Sequence, residues 1–215
     1  MADDRLKIWE TLFQRALVLI DSVGKAGITL SDWTFGGGTV LMRRYQHRFS
    51  KDIDIFIPSP QYLNYLSPHL NETTEEMTGD YTLQAEYLKL QFPEGEIDFV
   101  VSAPLTENPT VAEKIFGREV MVETSTEIVA KKVWHRGDRF RARDIFDLAL
   151  VAEKEPDALK SIAPVLRDRK DVILARIKGS DAYLRDDFAN LAILEYRRSY
   201  DECVEIVKKA FRQAK

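Results

Sequence analysis

The chain of 215 residues contains one cysteine, Cys203. A single thiol excludes an intrachain disulfide and any cysteine-based zinc site, and it suits a reducing compartment, so a cytoplasmic protein is expected. Cys203 lies in a helical pattern and reads as a small buried hydrophobe. No apolar run approaches the roughly 20 residues that a membrane-spanning helix requires. The opening Met1-Ala2-Asp3-Asp4-Arg5 lacks the basic-then-apolar form of a secretory signal. Excess charge of either sign is also small: the net charge is −4, so the chain is not basic throughout. Internal repeats, low-complexity tracts and coiled-coil heptads are absent.

What remains is an ordinary globular composition, 45% hydrophobic and 31% charged. The length suffices for one large domain or two small ones. Two local basic groups stand out: Arg43, Arg44, His47 and Arg48, and a strip of Lys131, Lys132, Arg136, Arg139, Arg141 and Arg143 against Asp138. Local potential, not net charge, decides whether a polyanion docks.

The sharpest feature joins two pieces. Trp33-Thr34-Phe35 reads as a short strand ending in Gly36-Gly37-Gly38, with a helix able to start at Thr39. Glycines let backbone N–H groups approach an anion, and a helix N-terminus adds a favourable dipole. Further on, Asp52 and Asp54 alternate with Ile53, Ile55 and Ile57. Strand periodicity puts both carboxylates on one face and the isoleucines on the other. Such carboxylates repel unless a cation sits between them, and an all-oxygen site suits Mg²⁺. Taken singly, a glycine run is most often a turn, and Asp-x-Asp is common.

Later, Tyr81 to Phe92 reads as a strand, joined through Pro93-Glu94-Gly95 to a second strand, Glu96 to Val101. On that second strand Glu96, Asp98 and Val100 share one face. A solvated strand end is one reading of Asp98; convergence with Asp52 and Asp54 is the other.

Together, the glycine turn and the Asp-x-Asp strand resemble the signature of the DNA polymerase β-like nucleotidyltransferase superfamily. Gly37-Gly38-Thr39-Val40-Leu41 and His47-Arg48-Phe49-Ser50-Lys51-Asp52-Ile53-Asp54 are similar to its AbiEii/AbiGii toxin-type branch. So are Glu127-Ile128-Val129-Ala130-Lys131-Lys132 and Arg141-Ala142-Arg143-Asp144-Ile145-Phe146-Asp147-Leu148. The resemblance covers residues 30–150. It implies an α+β protein with a polymerase β-like nucleotidyltransferase fold, a mixed sheet flanked by helices, followed by a C-terminal helical bundle. The boundary falls near Ser125, giving a nucleotidyltransferase domain over 1–124 and a helical domain over 125–215.

The resemblance also implies chemistry: transfer of a nucleoside monophosphate from an NTP to a hydroxyl acceptor. Asp52, Asp54 and Asp98 would hold Mg²⁺ or Mn²⁺, two ions in all, with Glu96 as the fallback third carboxylate. Gly37, Gly38 and Thr39 would cradle the triphosphate, with Arg48 and Ser50 near its oxygens. Lys132, or Lys131 after a one-residue slip, would neutralise the leaving pyrophosphate, and Asp144 would orient that lysine or contact the nucleotide. A third Gly and Thr39 depart from the Ser that often follows the glycine in the superfamily. The basic strip favours tRNA or another RNA as acceptor, and the branch implies a toxin with an antitoxin protein as partner. Nucleotidylation of a protein or small molecule, and a non-catalytic nucleotide-binding module, are the alternatives.

Along the rest of the chain, Arg5 to Val23 reads as an amphipathic helix and Gln61 to Leu70 as another, with a polar loop or frayed turn at 71–79. Residues 104–123 read as a connector with an edge strand at 119–122. Helices are expected from Thr126 and Phe140, and then over 158–166, 170–177 and 191–211.

Overall fold

A computed structural model describes residues 4–214, which form two compact units. The opening Met1-Ala2-Asp3, part of the segment read as lacking a signal, lies outside the described residues.

The first unit comprises residues up to Val40, Ser50–Ala103 and Thr110–Glu123. Its elements in order are α1 (Ile8–Ser22), β1 (Thr34–Gly36), the start of α2 (Gly37–Tyr45), β2 (Ile53–Ile57), α3 (Gln61–Leu66) and α4 (Glu72–Met77). Then follow β3 (Tyr81–Leu83), β4 (Tyr87–Phe92), β5 (Gly95–Val101), β6 (Thr110–Ile115) and β7 (Arg118–Glu123). One mixed sheet runs β3-β4-β5-β2-β1-β7-β6. The β2/β5 and β1/β7 pairs are parallel and the others antiparallel.

Period-2 patterning builds this sheet. Ile53, Ile55 and Ile57 are buried while Asp54 and Phe56 between them are half-buried, and Ile97 and Phe99 repeat the pattern on β5. Helix α1 lays Trp9 and Phe13 on Phe35 of β1, with ring centroids 6.2 and 4.5 Å away. Burial of such rings dominates core energetics.

Three local readings change here. Residues 71–79 are not a loop: Asn71 caps α4 by accepting from the Thr74 amide, and its Nδ2 donates to Ser22 Oγ and Tyr65 O. The stretch 81–92 is two strands folded against each other, because Gln84-Ala85-Glu86 turns the chain. In the former connector, β6 pairs with β7 around the Phe116-Gly117 turn, where both residues have positive φ, so β7 is an inner strand and β6 the edge.

The second unit comprises Leu41–Phe49, Pro104–Pro109 and the chain from Thr124 onward. After the remainder of α2 it holds α5 (Ser125–Arg136), α6 (Ala142–Lys154), α7 (Ala158–Ser161), α8 (Ala163–Gly179), α9 (Asp181–Ala189) and α10 (Tyr200–Gln213). Thr124 caps α5, its hydroxyl accepting from the Glu127 amide. Pro164 sits in the first turn of α8, where its missing N–H costs nothing, so 163–179 is one helix and not two. Residues 191–199 are not helical. Their backbone bonds go to the earlier segment instead: the Phe49 amide donates to Ala192 O, and those of Leu194 and Glu195 donate to His47 O and Gln46 O.

Glu127 anchors Pro104–Pro109. Fully buried, it accepts from the amides of Leu105 and Thr106 and from the Thr106 hydroxyl at 2.7 Å, with Lys131 3.6 Å away.

Candidate active site

In the first unit, β1 passes directly into α2 through Gly36 and Gly37. Gly37 has φ +77°, a left-handed conformation that glycine adopts freely. Gly36 is opposite Asp54 in the β1/β2 register. A Cβ on Gly37 would lie 1.8 Å from Asp54 Oδ2, so only glycine leaves room for that carboxylate. Beside it, Gly36 packs on Glu123 of β7, whose Oε1 accepts from the Thr34 hydroxyl.

Asp54 and Asp98 are partners in the parallel β2/β5 register and lie side by side on one face. Burial, and then the Asp54 charge, push the Asp98 carboxyl from 3.8 up to about 7. Asp98 Oδ1 is buried with no hydrogen-bond partner. A buried, unpartnered oxygen beside a second carboxylate is a set of hard oxygen donors, so the pair fits a divalent ion.

Asp52 behaves differently. It precedes β2, and its Oδ1 accepts from the Glu96 amide at 3.1 Å, against Gly95 at the start of β5. Among the described residues no three carboxylate, histidine or cysteine side chains form a set that could hold a metal. Asp54 and Asp98 stand in register, Asp52 reaches β5 at the Glu96 amide, and Glu96 shares Lys89 with Asp98.

The two hydroxyls expected near the triphosphate bind each other and the backbone. Thr39 is fully buried and donates to Asp52 O at 2.6 Å, with Ser50 Oγ at 3.2 Å. Thr39 therefore fixes the start of β2 against the glycine turn.

In the second unit Asp147 is the hub of a buried ionic cluster. It accepts from Arg48 Nε at 2.7 Å and Arg48 Nη2 at 2.8 Å; His47 Nε2 lies 2.8 Å and Lys132 Nζ 3.2 Å away. Asp144 takes Lys132 at 3.3 Å and Arg136 at 2.8 Å, and its Oδ2 accepts from the Arg141 amide, capping α6. Burial alone would raise both carboxyls, but Arg48 and Lys132 hold Asp147 well below the ordinary range, and Lys132 and Arg136 lower Asp144. Burial lowers the Lys132 ammonium and the His47 imidazole despite these carboxylates.

Two expectations change as a result. Arg48 is 5% exposed and its guanidinium fork is committed to Asp147, so it is a cluster member and not an outward phosphate ligand. The basic strip from Lys131 to Arg143 is no continuous polyanion surface. Lys131 pairs with Glu127, Lys132 and Arg136 pair with Asp144, and Arg141 pairs with Asp187. Lys132 and Asp144, expected to work together, do meet.

Two residues were missed. Lys89 on β4 faces Asp98, and the two-residue Pro93-Glu94 turn carried the signal: it pairs Phe92 with Gly95 and hence Lys89 with Asp98. Asp147 stood within the Arg141–Leu148 stretch that carries the resemblance, but no separate role was given to it.

The family model for the nucleotidyl transferase AbiEii toxin of type IV toxin–antitoxin systems matches residues 28–214. The chain belongs to the AbiEii nucleotidyltransferase toxin family. An H. pylori protein assigned as a nucleotidyltransferase is similar in structure at 16% identity, with TM-score 0.55, covering 100% of this chain and 96% of its own. JHP933 from Helicobacter pylori, also 16% identical, has TM-score 0.56 and coverages of 100% and 93%. These likenesses bear on the fold, and the mixed sheet flanked by helices agrees with them. No curated protein matches the chain. For an AbiEii-family chain, nucleotidyltransferase activity and a toxin–antitoxin setting follow from membership. No helix among the described residues is long and apolar enough to cross a membrane.

Proposed function

We propose that this AbiEii-family protein transfers a nucleoside monophosphate from an NTP to a hydroxyl acceptor with the help of divalent cations. The observation that carries the reading is the Asp54/Asp98 pair beside the Gly37 turn, with Asp98 Oδ1 buried and unsatisfied. Asp54 and Asp98 would hold Mg²⁺ or Mn²⁺, with Asp52 as the further carboxylate expected from the resemblance. A divalent ion bound there supplies charge neutralisation for the attacking and departing oxygens. The protein's own work is then mainly positioning and electrostatics, as phosphoryl-type transfer requires.

Within that work, the Gly37 turn leaves room for Asp54, and Gly37 and Gly38 open α2 toward phosphate oxygens. Thr39 ties Asp52 to α2, and Ser50 supports Thr39. Asp98 would also help to take the acceptor's proton, a role that rests on the resemblance. The role of Lys132, neutralising the departing pyrophosphate, rests on the resemblance alone; like Arg48 it is buried and paired, here with Asp144 and Asp147. Arg48 is assigned to holding Asp147.

The acceptor expected from the sequence is a hydroxyl of tRNA or another RNA, but the internal pairing of the 131–143 strip removes the feature that favoured it over a protein or small-molecule hydroxyl. An antitoxin protein is the partner proposed from the family. Incubation with each α-labelled NTP, Mg²⁺ and total tRNA tests the reading. Label in RNA supports the first acceptor, label in protein supports the second, and no incorporation from any NTP overturns nucleotidyl transfer.

A further inference from the structure

Three residues stand in consecutive register positions on one face of the sheet: Asp54 on β2, Asp98 on β5 and Lys89 on β4. The Lys89 ammonium bonds Glu96 Oε2 and lies 3.5 Å from Asp98 Oδ2. The second distance is beyond a good hydrogen bond, so the ammonium is shared between the two carboxylates with Glu96 favoured. Burial pulls Lys89 down, but Glu96 and Asp98 outweigh it, and the ammonium is held charged. Its side chain is 28% exposed, and that of Glu96 36%, so the charge can move between partners without being buried.

We infer that Lys89 is a positioning residue that stands in for the divalent cation beside Asp98, and that Glu96 is the acceptor onto which it withdraws when that cation binds. The inference rests on the reading of Asp54 and Asp98 as the cation-holding pair. Its logic is electrostatic. Without an ion, adjacent carboxylates repel, and a nearby ammonium offsets that repulsion. With an ion present, the ammonium opposes binding unless a second carboxylate neutralises it. A unit charge a few ångströms away changes affinity by roughly tenfold in a partly solvated site.

The test is Mn²⁺ binding by calorimetry to the whole chain, with no nucleotide and no turnover. Lys89→Met should bind Mn²⁺ about tenfold more tightly than wild type. Lys89→Arg, which keeps the charge, should resemble wild type. Glu96→Gln should weaken binding, because the lysine loses its refuge. In a Lys89→Met background, Glu96→Gln should weaken binding less than it does with the lysine present, because only Glu96's own charge is then lost. Lys89→Gln serves if the methionine variant fails to fold, which circular dichroism reports. Unchanged or weaker Mn²⁺ binding by a folded, uncharged Lys89 variant overturns the inference. So does a Glu96→Gln effect as large without Lys89 as with it, which would leave the lysine no part in that effect. If wild type and Asp98→Asn bind Mn²⁺ alike, the acidic-pair reading itself fails. If those two differ and Lys89→Met matches wild type, only the inference does.

Discussion

Gly37 and Asp54 share a space that admits no additional carbon: a Cβ on the glycine would stand 1.8 Å from the aspartate's Oδ2. The same glycine holds φ +77°. Gly37→Ala should therefore act twice. It should cost about 1–2 kcal/mol in backbone strain, read as a lower urea midpoint. It should also displace Asp54 and remove nucleotidyl transfer. Wild-type stability and activity in this variant would show that the turn does not constrain the carboxylate.

Asp98 makes stability depend on pH in an unusual direction for a carboxylate. The unfolded chain releases this proton near 3.8, whereas the folded chain keeps it until about 7. Between those values the folded state binds more protons, so its stability falls as pH rises and levels off above about 7. Asp98→Asn should remove that component. The check is urea unfolding of both proteins in EDTA from pH 4.5 to 8: the wild-type advantage should shrink with rising pH. A constant difference would contradict the arrangement.

Asp147 compensates Arg48 and Lys132 and bonds His47 inside the second unit. Removing one member of a buried ion set leaves uncompensated charge, which costs about 3–5 kcal/mol. Asp147→Ala should accordingly lower stability far more than removal of an exposed, solvent-screened pair such as Lys160 with Asp157. Chemical denaturation of the two variants decides this.

Glu127 gives a more local test. Glu127→Ala leaves the Leu105 and Thr106 amides without their acceptor, at a cost of about 1–3 kcal/mol. Hydrogen exchange at those amides should accelerate in the variant. Unchanged protection would mean that the segment is held by other contacts.

Much of the first unit was legible because its signals are local. The glycine run, the Asp-x-Asp alternation and the hairpin at Pro93-Glu94 each name a backbone conformation on their own. Asp98 could be matched to Asp54 because both stand among inward-facing apolar neighbours at period 2. What could not be read was commitment. Arg48 and the 131–143 strip appeared as surface charge, since nothing local says that Asp147 will bury Arg48 from 99 positions away. Residues 191–199 failed for a related reason: their apolar spacing suited a helix, but their backbone pairs with 46–49. Thr39 was legible as a hydroxyl at the turn, while its partner, a backbone carbonyl, leaves no trace in side-chain pattern.

The central claim is that the carboxylates of Asp54 and Asp98 act together on a nucleotide. The most direct measurement compares incorporation from α-labelled NTPs with Mg²⁺ by wild type, Asp54→Asn and Asp98→Asn, each shown to be folded. The account predicts a loss of roughly a hundredfold or more in each variant, on the scale of removing one group that stabilises transition-state charge. Incorporation by either variant at the wild-type rate would contradict it.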